Sequence, residues 1–395
     1  MSTGDATYIK ALNKRILIEK MIEHRSISRI ELSRLTGLNR STVSAQINQM
    51  MEDKLVIEHH SDVSRGGRKA ILLQMNEEAG FTIGIDLDFP QTQVQVTNLL
   101  GKPILTKRFT IDEASMAQSE QRLIEIIREV VDEYSKRYTP VGLAGIGIGV
   151  HGIVDNENHI VFTPKQERME INLQAAMESE FHVPVSIDNN ANLSVYAEKV
   201  YNYPISDLFS ITMYSGIGLG IVEDHRIYRG FQGFAGELGH MIVEPNGLPC
   251  ACGNLGCWEL YTSEKSLLKQ LNAAGVKVDE IEELDFSYIR EEFPEFIRQF
   301  LDYLAIGINN VINIFNPQMI ILNSQFLHMN QELLEEVKKR LTSRMNHYDQ
   351  IVSSSLGKEA CSLGGAMIAL KSYYGVKTLN LSAFEYFQEK ETSQP

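Results

Sequence analysis

Four side chains in one short stretch offer chemistry most directly. In "GHMIVEPNGLPCACGNLGCWE", His240, Cys250, Cys252 and Cys257 supply one imidazole and three thiols, the soft donor set that holds tetrahedral zinc. Cysteines this close suit a metal better than a disulfide framework. With all four positions filled by protein, the zinc is expected to be structural and not catalytic. Cys361 stands alone in a predicted helix and reads as a small buried apolar residue. A second stretch, "SIDNNANLSVYAE" at 186–198, runs a strand into a helix with Asn189, Asn190 and Asn192 at the junction. Such junctions hold ligands in α/β sheets. Asparagine donates and accepts hydrogen bonds there, but it cannot serve as a base.

The elements that must position these groups read as α/β. "GFTIGIDLDFPQTQVQVTNLLGKPI" alternates like strands joined at Leu100-Gly101, a helix is predicted over 117–136, and "GLAGIGIGVHGIVD" is a glycine-rich buried strand with its loop. Strand "VPVSIDNN" leads into a helix over 191–201, and "LFSITMYSGIGLGIVEDHRIYRG" reads as strand, glycine loop, strand. A long helix over 296–315 stops at Asn316-Pro317, strand "MIILNS" follows, and 330–345 and 361–373 read as helices. Interleaved strands and helices of this kind make an α/β sheet fold.

The first 75 residues differ in both pattern and charge. They hold 12 Lys and Arg against 8 Asp and Glu, while the remainder of the 395 residues holds 25 against 43. A basic head on an acidic body suggests a DNA-binding module joined to something else, with the body's field repelling stray DNA. Residues 7–24 place Ile9, Leu12, Ile16 and Met21 near helical spacing. Ser28 and Glu31 form a capping box that starts a second helix, Gly37 supplies the turn, and a third helix runs from about Asn39 to Met51. This is a helix-turn-helix. Its third helix offers Arg40, Ser41, Thr42, Ser44, Ala45 and Gln46 to base edges, while Val43 and Ile47 face the core. "LVIEHH" and "AILLQM" flank "SDVSRGGRK", a hairpin whose tip carries Arg65, Arg68 and Lys69 and reads as a phosphate-gripping wing. No apolar run reaches a membrane span, and the N-terminus lacks a secretory signal, so the expected compartment is the cytoplasm, with no membrane partner.

"GELGH" at 236–240, followed by the thiol cluster and "GCWE", resembles the signature of the ROK family, named for repressors, open reading frames and kinases. With "SISR", "LTGLN", "STVS", "GGR", "VFTP", "YRG" and "CGNLGCWELY", the whole chain resembles the xylose-repressor branch of that family in Gram-positive bacteria. The resemblance implies an N-terminal winged helix-turn-helix and an α/β, two-lobed, actin-like (RNase H-like) body. The divisions it suggests are 1–75 for the head, 76–192 with 374–395 for the first lobe, and 193–373 for the second. An effector cleft would lie between the lobes.

In kinases of the family the strand-to-helix junction reads Asn-Asp-Ala-Asn, and its aspartate takes the sugar's proton; here Asn190 stands there. The first phosphate loop, Asp-x-Gly-Gly-Thr, has become Asp86-Leu87-Asp88-Phe89-Pro90, which adds a carboxylate and removes an N–H. Ser215-Gly216-Ile217-Gly218 keeps a second glycine loop. The resemblance therefore implies a chain that is not an enzyme and takes no ATP. Asn189, Glu237, His240 and Glu259 match hydroxyl-contacting positions, Gly152 lies in the loop over the sugar, and Asn190 can still hydrogen-bond. His151 stands where the family carries proline, and Lys165 and Arg168 replace an asparagine and a tryptophan. The expected function is a repressor of carbohydrate-utilisation genes, a homodimer or homotetramer on palindromic double-stranded operator DNA, sensing xylose or a related sugar. The alternatives are an active, autoregulating sugar kinase, or a repressor that senses a sugar phosphate, a sugar acid or a protein partner.

Overall fold

The computed structural model describes residues 6–60, 71–88, 90–111, 116–155, 157, 159–162 and 172–387. The head is α1 (Ala6–His24), α2 (Arg29–Thr36), α3 (Arg40–Glu52) and the antiparallel strands β1 (Val56–His60) and β2 (Ile71–Met75). Ser28 caps α2 by accepting from the Glu31 amide at 3.2 Å, and Gly37 closes that helix at φ 70°. Asn39 caps α3 through the Thr42 amide at 2.7 Å. Val43, Ile47 and Met50 of α3 are fully buried against Leu17, Ile18 and Met21 of α1 and Leu32 of α2. The stripe expected on α1 is shifted. Ile9 stays half exposed, because the pairs Leu17/Ile18 and Met21/Ile22, four apart, present the wider apolar face.

The first lobe follows as β3 (Gly80–Asp88), β4 (Gln91–Asn98), β5 (Pro103–Thr110), α4 (Met116–Tyr134), β6 (Gly142–Val150), the short pair β7 (Ile153–Val154) and β8 (Ile160–Phe162), α5 (Leu173–Phe181) and β9 (Val185–Asn189). After α6 (Asn190–Tyr201), the second lobe is built from β10 (Leu208–Thr212), β11 (Gly218–Glu223), β12 (Arg226–Ile227), α7 (Glu259–Thr262), α8 (Glu264–Ala273), α9 (Phe286–Glu292), α10 (Pro294–Phe315), β13 (Met319–Asn323), α11 (Gln325–Met329), α12 (Gln331–Arg340) and β14 (Gln350–Ser353). α13 (Ala360–Tyr374) closes the body. The two five-stranded sheets repeat one order, β5-β4-β3-β6-β9 and β12-β11-β10-β13-β14. In each, the central strand pairs antiparallel on one side and parallel on the other. The carboxyl ends of the parallel strands are where such sheets bind ligands.

Two helices fill the space between the sheets. α13 lies on the first sheet so closely that a Cβ on Gly84 would fall 1.7 Å from the Ser362 carbonyl oxygen, and one on Gly147 would fall 2.1 Å from that of Gly365. α6 lies as closely on the second sheet, with Gly220 under the Ala191 carbonyl, and the helices cross where Gly364 meets Leu193. The division at 193–373 therefore misplaces α13, which belongs with the first sheet. Sequence order suggested the second lobe, but the glycines on β3 and β6 make room for it on the first.

One core joins head and body. Residues of α1, α2 and α3 share a continuous apolar cluster with α6, α13 and Val376, Leu379 and Leu381. Polar contacts pin the same seam. Glu19 accepts from the Lys377 amide at 2.6 Å, and the Arg25 guanidinium lies 4.7 Å over the Phe384 ring. Among the described residues no helix is long and apolar enough to cross a membrane.

Gly84→Ala is expected to lower stability by about 3 kcal/mol, the upper range for overpacking a tight core. The check is the denaturant midpoint of the variant, which should fall with the slope unchanged.

Candidate effector and metal site

Ligand atoms of His240, Cys250, Cys252 and Cys257 all lie within 4.8 Å of one another. Zinc bonds of about 2.0–2.3 Å in a tetrahedron imply donor separations of about 3.5–3.8 Å. Cys252 and Cys257 sulfurs are 3.6 Å apart, and His240 Nδ1 is 3.6 Å from Cys250 Sγ. Donor types and spacing thus fit zinc, and the four expected ligands converge.

His240 divides its ring between two tasks. Nδ1 faces the thiols, while Nε2 points toward Glu237 at 3.9 Å. Glu259, at the start of α7, places one carboxylate oxygen 3.3 Å from Cys250 Sγ and 3.6 Å from His240 Nδ1. Burial raises the Glu237 carboxyl above the ordinary range and the Glu259 charge adds to this, while His240 opposes it. Gly216 lies beside this group, where a Cβ would come 2.8 Å from the other Glu259 oxygen, the movable end of that side chain. Gly218 packs on Ala191 of α6. The surviving glycine loop is thereby accounted for by close packing.

The β9–α6 junction is held from several sides. Asn189 caps α6 by accepting from the Ala191 amide at 2.8 Å, and its amide nitrogen donates to the Gly152 carbonyl at 2.7 Å. The expected effector residues Asn189 and Gly152 therefore meet, with the Asn189 side chain binding the junction to the loop after β6. Asp188, 4% exposed, accepts from Arg229 Nε at 3.1 Å and again from Nη2, from Asn192 at 2.9 Å and from the Asn189 amide at 2.8 Å. Arg229 is the residue that sequence reasoning missed. Its signal was present in "YRG", which was used as a family mark and not as a partner for the buried carboxylate.

Asn190 makes no side-chain hydrogen bond among the described residues and lines a cleft of about 320 Å³ between the lobes. His151 lines it too. Its Nε2 is 3.1 Å from Asp86 and its Nδ1 4.0 Å from Asp88. The two carboxylates of the altered phosphate loop are thus turned onto the histidine of the neighbouring loop. Lys165 and Arg168 lie outside the described residues. Cys361 is buried as expected and also borders this cleft.

On the head, Arg40, Ser41 and Ala45 are exposed, and Thr42 and Ser44 half-buried. Gln46 is a correction. It is 5% exposed and donates to the Lys10 carbonyl at 3.0 Å. Lying three residues past Val43 and four before Met50, it falls on the buried stripe of α3 and cannot reach a base. The outward face continues instead to Asn48 and Gln49. Arg65, Arg68 and Lys69 lie outside the described residues.

A winged helix-turn-helix fused to a two-lobed actin-like body defines the class of regulators built on a kinase-type scaffold. The ROK family model matches residues 82–372, and the chain belongs to that family. It is 36% identical over 384 residues to the xylose repressor of Bacillus spizizenii, covering 95% of this chain and 99% of the relative. A crystal structure of a ROK family transcriptional regulator, a homologue of the Escherichia coli MLC protein, matches with a TM-score of 0.76 and 25% identity over 96% of this chain and 99% of the other. The body alone shares its fold with a ROK glucokinase from Streptomyces griseus, with a TM-score of 0.59 and 23% identity over 73% of this chain and 99% of the other.

Purified protein is expected to carry one zinc per chain by elemental analysis, and Cys257→Ser to lose most of it. The variant should also melt lower, since structural zinc contributes folding energy directly.

Proposed function

We propose that the chain is a transcriptional repressor of carbohydrate-utilisation genes whose head binds operator DNA and whose body binds xylose or a related neutral sugar. The observation that carries this reading is the shared core: the helix-turn-helix packs into the same apolar cluster as α6 and α13, whose other ends border the cleft between the lobes. Binding that alters the lobes is thereby connected to the placement of the head. As a homodimer or homotetramer, the protein would read palindromic half-sites about 34 Å apart, or a multiple of that. A sugar releases it only through differential affinity for the two arrangements.

A neutral effector is favoured over a sugar phosphate or sugar acid by the state of His151. Its ring is engaged by Asp86 and Asp88, which surround an incoming anion with two carboxylates. The zinc, held by His240, Cys250, Cys252 and Cys257, would fix the His240 ring so that Nε2–H is presented beside Glu237 to a sugar hydroxyl.

Fluorescence anisotropy with operator DNA and a melting series over sugars test the reading together. Xylose or a related neutral sugar should raise the melting temperature and weaken operator binding; stabilisation by sugar phosphates alone would overturn the neutral assignment. Arg40→Ala should weaken operator binding about tenfold or more, whereas Gln46→Ala should act on stability.

Kinase activity is assigned no role. Asn190 is a neutral amide where a base is required, Asp88 and Phe89 replace the phosphate-cradling glycines, and Pro90 beside them has no N–H to offer. A coupled ADP-release assay should show no turnover, and Asn190→Asp alone should not restore it, because the phosphate loop remains altered. Turnover typical of sugar kinases in the native protein would contradict this.

A further inference from the structure

The cleft between the lobes, about 320 Å³ in volume, is walled by polar side chains from both sheets. Its first-lobe wall comes from one face of β3 and β4, where Asp86 stands opposite Gln93 and Asp88 opposite Gln91. Across from them stand Thr212, Tyr214, Ser215 and Asn323 at the ends of β10 and β13. Between the walls, Asn190 and Ser194 contribute from the first turns of α6.

Charge decides what this space can hold. Three carboxylates, Asp86, Asp88 and Glu280, border it against two permanent cations, Arg108 and Lys358. Lys358 is already paired with Glu282 at 2.7 Å, and Arg108 donates to the Gln93 side chain at 3.0 Å. His151 is drawn between Asp86 and Asp88. A triphosphate entering here would meet two carboxylates and a proline in place of backbone donors. The other wall groups are hydroxyls and amides, which pair with neutral hydroxyl groups in either direction. A volume of about 320 Å³ is at the lower end of small-ligand sites.

Residues lining the cleft are also chain neighbours of the expected effector residues. Asn190 follows Asn189, which is bonded to Gly152, and His151 precedes that glycine. On the opposite wall Ser215 precedes Gly216, the residue packed on Glu259. A sugar held by Glu237, His240 and Glu259 would therefore have the cleft as its next space, past Asn190.

We propose that this cleft is a second carbohydrate subsite, so that the effector is a neutral saccharide of two rings: the first at the Glu237–His240–Glu259 site, the second glycosidically attached and seated where a kinase would hold phosphates. The inference rests on the proposed sugar-sensing function and deepens it by naming the ligand class. Gln91 sits exposed at the cleft's outer edge, so a bulky side chain there fills the second subsite and leaves the first untouched.

The test is calorimetric titration of the full-length protein with xylose, β-1,4-xylobiose, cellobiose and Mg-ATP, for the native chain and Gln91→Trp. One of the disaccharides is expected to bind about tenfold or more tighter than xylose, a difference that a few added hydrogen bonds supply. Gln91→Trp should abolish that advantage while leaving xylose affinity and ligand-free operator binding as they were; the latter shows that the variant is folded. Xylose binding with no gain for either disaccharide would overturn the second subsite and leave the sugar-sensing reading standing. Failure of every saccharide would overturn both. Tight Mg-ATP binding would overturn the subsite by showing that the cleft still accepts phosphates, and an equal loss of xylose and disaccharide affinity in Gln91→Trp would show that there is only one site.

Discussion

A buried carboxylate organises the centre of this molecule. Taking an ion such as Asp188 out of water costs several kcal/mol unless its lone pairs are filled. Here they are filled: two N–H groups come from Arg229, one from the Asn192 side chain and one from the Asn189 amide. Four donors match the acceptor capacity of a carboxylate. Because Arg229 follows β12 in the second lobe while the others belong to the β9–α6 junction, the pair fastens the lobes to each other at that junction. It also keeps Asp188 from serving as a base. With its lone pairs committed, it has nothing to offer a sugar hydroxyl.

From that fastening, two helices carry geometry outward. α6 spans about 18 Å and α13 about 22 Å at 1.5 Å per residue. α6 starts at the effector junction and ends at Tyr201, whose hydroxyl donates to the Gly101 carbonyl at 2.6 Å. α13 starts beside the cleft at Cys361 and ends at Tyr374, bonded to the Leu99 carbonyl at 2.8 Å. Both ends reach the core that holds the head. Their glycine-backed seats leave no slack, and packed interfaces of this kind move by small rigid shifts and not by gradual deformation. In the proposed reading, a change in lobe closure would reach the seam between α1 and residues 376–387, where head and body meet.

Much of this was legible in the residues. The cap at Ser28, the turn at Gly37 and the converging His240, Cys250, Cys252 and Cys257 each have a local chemical signature, and each lies where that signature put it. What was not legible depended on partners distant in the chain. α13 reads as a plain apolar helix, and only Gly84 and Gly147, far earlier, say which sheet it covers. Gln46 carries a side chain suited to reading adenine, yet helical phase places it with Val43 and Met50. The expected stripe through Ile9 failed for a related reason, since several phases fit a helix with apolar residues at both ends. Arg229 needed its buried partner to be known before its role could be seen.

The altered chemistry of the cleft suits a sensor better than an enzyme on thermodynamic grounds. A regulator that reads concentration works by equilibrium linkage, so its ligand must leave the site as it entered. Phosphorylation of the effector would tie the readout to ATP and replace the ligand with an anion of different affinity. An amide at position 190 can donate and accept hydrogen bonds but cannot act as a base. Asp88 adds a carboxylate beside Asp86, with His151 3.1 Å from Asp86 and 4.0 Å from Asp88. In the proposed reading the two changes act on different partners, the sugar and the nucleotide, and both favour a body that binds a sugar without consuming it.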